Sequence, residues 1–116
     1  MKGIPHQYML TEDEVDDIND AITAYNVKLR ATADAFGLAF VDVNAFINSV
    51  RTGIDYDGQT IRAKFVEGGA YSLDGVHLTP LGNALLANEF IKAINAKYGS
   101  TIPRIDATSY QGVAFP

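Results

Sequence analysis

Within the run Leu73-Asp74-Gly75-Val76-His77-Leu78-Thr79-Pro80-Leu81-Gly82, a carboxylate and an imidazole stand three residues apart, just ahead of a helix-start signal. A histidine acts as a general base only when its ring is held in one tautomer. A carboxylate that accepts the Nδ1 proton does this and also stabilises the imidazolium that forms. With Asp74 and His77 on one short turn, no long-range packing is needed to bring them together. Gly75 lets that turn bend through backbone angles closed to other residues. Asp-Gly is equally a common turn dipeptide, and the four residues alone admit a reading in which His77 merely precedes a capped helix.

The elements that must position this pair follow from local signals. Thr79 reads as an N-cap and Pro80 as the first helical residue, and Leu81, Ala84, Leu85, Ala87, Ile91, Ile94 and Tyr98 give the helix an apolar face that Gly99 stops. A first helix is predicted from Thr11, where Thr11-Glu12-Asp13-Glu14 has the form of a capping box with acids in the first turn. Val15, Ile18, Ile22, Tyr25, Leu29, Ala33 and Phe36 then line one face up to Gly37. That stripe predicts a helix packed on a sheet.

The nearly all-apolar Leu38-Ala39-Phe40-Val41-Asp42-Val43 predicts a strand buried on both faces. Asp42 is placed either near the strand's carboxyl end, where ligands bind in open α/β sheets, or as the cap of a helix over 44–50, and the cap is favoured. Residues 53–69 read as a surface excursion with a hairpin around Asp57-Gly58 and a short apolar stretch at 61–66. The acids Asp55, Asp57 and Glu67 fit no EF-hand spacing and read as a solvated loop. The tail Tyr110-Gln111-Gly112-Val113-Ala114-Phe115-Pro116 is aromatic enough to pack back on the body.

Composition narrows the classes. The chain has 116 residues, 47% hydrophobic and 20% charged, which suits one folded domain over 1–116 with a single core. Nine basic against 14 acidic side chains give a net charge of -5 without a basic cluster, so nucleic acid and anionic membranes are poor partners. There is no cysteine, which excludes disulfides, thiolate catalysis and cysteine-based zinc sites. The two histidines, His6 and His77, do not make a multi-imidazole metal site, His6 reads as a surface residue near the terminus, and no cofactor is expected. No apolar run is long enough to span a membrane, and Met1-Lys2-Gly3-Ile4-Pro5-His6 lacks the apolar core of a signal peptide.

The run from Tyr71 to Asn83, followed by an Ala-, Leu- and Asn-rich helix, resembles the last signature block of the SGNH/GDSL hydrolases, a family of lipases and esterases. The resemblance implies that Asp74 and His77 correspond to the Asp and His of a Ser-His-Asp triad. It also implies an α/β fold, here the C-terminal half of a flavodoxin-like three-layer α/β/α domain with few parallel strands and two long helices. The implied substrate of the complete enzyme is an ester-bearing small molecule, a lipid or an acylated carbohydrate. Members are often exported, and export to the periplasm or beyond the cell is the expectation here.

The chain also departs from the family pattern. The nucleophile's Gly-Asp-Ser segment is absent from these residues, as are the glycine and asparagine blocks of the oxyanion hole. Ser49, Ser72, Ser100 and Ser109 all lack the flanking glycine and aspartate. Two readings follow: a C-terminal portion of a serine ester hydrolase, inactive by itself, or a non-catalytic α/β interaction or structural module on the same scaffold. A sheet half with open faces should self-associate or pair with its missing N-terminal portion.

Overall fold

The Thr11 capping box forms as its residue types require. The Thr11 hydroxyl oxygen accepts the Glu14 N–H at 3.3 Å, while Glu14 Oε2 accepts the Thr11 N–H at 2.8 Å. Helix α1 then runs Glu12–Ala35, with three acids in its first turn complementing the helix dipole, and the chain turns out of it at Gly37, whose φ is +64°. A computed structural model describes residues 3–62 and 69–113 of the chain, which divides into two compact units, Met1–Gly37 and Leu38–Pro116.

The first unit is α1 preceded by a single 3-10 turn, His6–Tyr8. The expected face of α1 is present in register but is not buried. Ala33 is buried, whereas Val15, Ile18, Ile22, Tyr25, Leu29 and Phe36 all stay exposed, from 38% at Ile22 to 75% at Phe36. Periodicity records that a helix has an apolar side; it does not supply the surface that covers it.

In the second unit, residues 38–42 form no strand ladder, contrary to the strand expected at 38–43. A strand exists only by pairing, and no parallel neighbour occurs among the described residues. The Ala39 N–H instead donates to the Tyr98 hydroxyl at 3.1 Å. Asp42 is the favoured cap: its Oδ1 accepts the Ala45 N–H at 2.8 Å and starts α2, Val43–Thr52.

The hairpin at Asp57-Gly58 forms as expected. Strands β1, Ile54–Tyr56, and β2, Gln59–Ile61, pair antiparallel with Tyr56 opposite Gln59. Asp57 and Gly58 both have positive φ, 48° and 82°, as a two-residue type I′ turn demands. The segment is more than a surface excursion, because Ile61 is 3% exposed and lies in the core with Val50, Ala70, Leu81, Ala84, Leu85 and Ala107. Residues 63–68, including Glu67, and residues 114–116 of the aromatic tail lie outside the described residues.

Helix α3 spans Pro80–Tyr98 and ends at Gly99 in the left-handed conformation, with φ +64°. Its buried side carries Leu81, Ala84 and Leu85 as expected, together with Gly82 and Asn88. The Asn88 amide works like a fragment of sheet. Its Oδ1 accepts the Ile105 N–H at 2.7 Å, and its Nδ2 donates to the Ile105 carbonyl at 2.8 Å and to the Tyr56 hydroxyl at 2.6 Å. Seven residues on, Asn95 does the same to Ile102, accepting its N–H and donating to its carbonyl, each at 2.9 Å. The tail is thereby fixed along α3 and continues to a 3-10 turn, Ala107–Ser109, whose Ala107 is fully buried.

The described architecture is therefore three helices and a two-stranded antiparallel sheet. It is compatible with a partial α/β unit. The parallel strands and the three layers implied by the resemblance do not occur among the described residues.

Candidate active site

The loop that carries Asp74 and His77 is closed at its base by the chain on either side. The Thr79 N–H donates to the Ala70 carbonyl at 3.0 Å, Tyr71 bridges Leu78 in antiparallel fashion, and the Ser72 N–H donates to the His77 carbonyl at 2.8 Å. Inside that closure the chain turns at Gly75, whose φ of +72° meets the expectation from its residue type, and whose N–H donates to the Ser72 carbonyl at 3.1 Å.

Helix α3 holds the loop from behind through Thr79, which is 4% exposed. The Thr79 Oγ1 accepts the Gly82 N–H at 3.0 Å and donates its proton to the Gly69 carbonyl at 2.6 Å. Pro80 has no N–H to satisfy, the Leu81 N–H donates to Gln111 O at 3.1 Å, and Asn83 N–H reaches Thr79 O at 2.9 Å. Each donor at the start of α3 thus has a partner, and a helix end left without partners would be costly.

Asp74 divides its two oxygens between backbone and ring. Oδ1 accepts the Ser72 hydroxyl at 2.6 Å and the N–H groups of Val76 and His77 at 2.9 Å each. Oδ2 meets His77 Nδ1 at 2.6 Å. The Ser72 hydroxyl foremost, then the two N–H groups and the His77 ring, hold the Asp74 carboxyl far below the ordinary carboxylate range. Asp74 is therefore an anion under any physiological condition, and the neutral imidazole beside it carries its proton on Nδ1. The lone pair on Nε2 is left to accept a proton.

The pair is open to solvent, with the side chain of His77 80% and that of Asp74 51% exposed. Leu73 and Val76, on either side of the turn, are also exposed, at 57% and 73%. The structure thus brings the two expected residues together.

Among the described residues no serine hydroxyl bonds to the His77 ring. The Ser49 hydroxyl donates to Phe46 O at 2.7 Å, that of Ser72 to Asp74, that of Ser100 to Asn95 Oδ1 at 2.8 Å, and that of Ser109 to Asp106 O at 2.7 Å. His6 lies in the other unit, in the exposed 3-10 turn. Among the described residues no group of three or more His, Asp and Glu side chains could hold a metal ion. The contribution of Ser72 to the loop was not legible beforehand; its signal was a hydroxyl two residues ahead of an Asp-Gly turn, a spacing at which short polar side chains bond locally.

A carboxylate on imidazole Nδ1 with Nε2 accessible is the arrangement a hydrolase's general base takes. The model of the GDSL-like lipase/acylhydrolase family matches residues 3–90 of the chain, and the protein belongs to that family. No curated protein and no solved structure matches it.

Proposed function

We propose that this chain supplies the Asp-His part of a GDSL-type serine ester hydrolase, with the serine and the oxyanion hole contributed by sequence beyond these 116 residues. The observation that carries this reading is the 2.6 Å contact between His77 Nδ1 and Asp74 Oδ2, with the ring exposed. His77 Nε2 takes the proton of the attacking serine hydroxyl as its oxygen bonds to the ester carbonyl carbon. Asp74 stabilises the imidazolium, and the Nε2 proton then passes to the leaving alkoxide oxygen as the ester C–O bond breaks. The substrate class is an ester-bearing small molecule, a lipid or an acylated carbohydrate.

The engagement of all four serine hydroxyls with partners other than the His77 ring favours one further reading, a non-catalytic module that retains the scaffold. Both readings expect the isolated chain to hydrolyse p-nitrophenyl acetate no faster than an equal concentration of imidazole and to resist labelling by a fluorophosphonate. Labelling of any of the four serines would overturn the assignment of the nucleophile to other sequence. The in-frame coding sequence ahead of Met1 separates the two. A Gly-Asp-Ser segment followed by Gly-x-Asn-Asp supports the hydrolase; an in-frame stop with neither segment leaves the non-catalytic module.

The exposed stripe on α1 supports pairing of this chain with a complementary portion or with itself, since apolar surface of that extent on one helix face seeks cover. Sedimentation velocity of the isolated chain is expected to show a weight-average mass rising with concentration through the micromolar range. A constant monomer mass throughout rules out self-pairing.

A further inference from the structure

We infer that Ser72 is a positioning residue for the Asp74-His77 pair, its hydroxyl fixing the rotation of the carboxylate so that one oxygen stays on the imidazole; this rests on the hydrolase reading of that pair. Three bonds tie Ser72 into the loop. Its N–H donates to the His77 carbonyl, its carbonyl accepts the Gly75 N–H, and its hydroxyl donates to Asp74 Oδ1 at 2.6 Å. The first two are backbone bonds that any residue except proline at this position can make. The third depends on the side chain.

The third bond matters because Asp74 and His77 are exposed. A buried triad aspartate is oriented by packing, but packing is weak on a surface loop, so orientation must come from hydrogen bonds. Oδ1 has three donors converging on it, two from backbone and one from Ser72, and this leaves Oδ2 to His77 Nδ1. Without the hydroxyl, the two N–H groups still hold Oδ1. The carboxylate then loses the shortest of the bonds to that oxygen and can twist about its Cβ–Cγ bond toward water. The share of neutral imidazole carrying its proton on Nδ1 falls as it does so. Ser72 thus sets the fraction of time His77 presents a bare Nε2.

The test uses the isolated full chain and needs no catalysis. Ring 15N shifts of His77 report the tautomer, and the 13Cγ shift of Asp74 is followed through acid. In the wild type the Nδ1–H form is expected to dominate among neutral rings. Ser72→Ala should shift the population toward Nε2–H severalfold and raise the pH at which Asp74 protonates, because the largest contribution to its lowering is removed. Ser72→Thr, which keeps the hydroxyl, should stay near wild type in both readouts. Backbone amide spectra confirm that each variant keeps the loop fold.

A Ser72→Ala protein with wild-type tautomer and Asp74 titration overturns the assignment of Ser72, as does a Ser72→Thr protein that behaves like Ser72→Ala. Failure of the underlying reading looks different. There, Asp74→Asn leaves the His77 tautomer unchanged, which means that Asp74 does not control the ring at all.

Discussion

Replacing His77 with alanine, in this chain joined to a nucleophile-bearing portion that restores ester hydrolysis, is expected to lower kcat on the order of a million-fold with KM little changed. In the proposed reaction the base does its work only as the serine proton moves, so its removal is expected to be felt in the transition state and hardly in binding. Asp74→Asn should cost on the order of ten-thousand-fold through a different route. The asparagine carbonyl can still accept the N–H groups of Val76 and His77, so the turn survives. Its NH2 then faces His77 Nδ1, which must become the acceptor, and the ring proton moves to Nε2. The imidazole remains in place but in the tautomer that cannot take a proton from serine. Steady-state kinetics with a soluble acyl ester check both values, and retention of more than a tenth of the activity by His77→Ala would sink the assignment.

The second large effect concerns the junction behind the loop. Gly82→Ala is expected to destabilise the second unit by about 2 kcal/mol net. Alanine in a helix is favoured over glycine by about 1 kcal/mol, which by itself predicts a more stable protein. A Cβ at residue 82, however, would overlap the Ala70 carbonyl oxygen and stand 3.1 Å from the Ala70 carbonyl carbon and 3.2 Å from Leu78 Cβ. Forcing a methyl into such a packed site costs about 3 kcal/mol. Ala70 cannot easily yield, since it is 2% exposed and its carbonyl accepts the Thr79 N–H at 3.0 Å. Overlap therefore outweighs propensity, and the melting temperature should fall by roughly 8–16 °C for a domain of this size. Circular dichroism melts decide it, and an unchanged or higher melting temperature would mean that the Ala70 backbone gives way and helix propensity wins.

Gly82 also illustrates what the amino-acid sequence reveals and what it hides. The Thr79-Pro80 start and Gly99 stop of α3, the capping box at Thr11, the Asp42 cap and the Asp57-Gly58 turn could all be read in advance. Each is a local contract between residues a few positions apart, sealed by a hydrogen bond or a permitted backbone angle. The Asp74-His77 contact belongs to the same kind, which is why the pair was legible before its geometry was known. Residues 38–42 are the opposite case. Phe40 and Val41 state a preference for extended, covered backbone, but a strand is a relation to a neighbour that those residues cannot specify.

The α1 stripe shows the same limit in a helix, where the period is clear and the covering surface is not. Asn88 and Asn95 were hidden for another reason. An asparagine amid Leu81, Ala84, Leu85 and Ile91 reads as a polar interruption of an apolar face, and only the folded tail reveals that both its amide nitrogen and its amide oxygen have partners.

The paired amides of Asn88 and Asn95 make α3 a ruler for the segment that follows it. Seven helical residues advance about 10.5 Å along the axis, and the three steps from Ile102 to Ile105 cover about 10 Å when the chain is nearly extended. The two lengths agree, and they run in opposite senses because Gly99 reverses the chain. One residue added or removed between Ile102 and Ile105 would move one clamp by about 3.3 Å, beyond the reach of an amide hydrogen bond. The tail can therefore change its side chain at Pro103 more freely than its length, whereas Arg104 is tied to Asp57 at 2.7 Å and lies over the Tyr56 ring; the count of residues there is what delivers Gln111 to the start of α3.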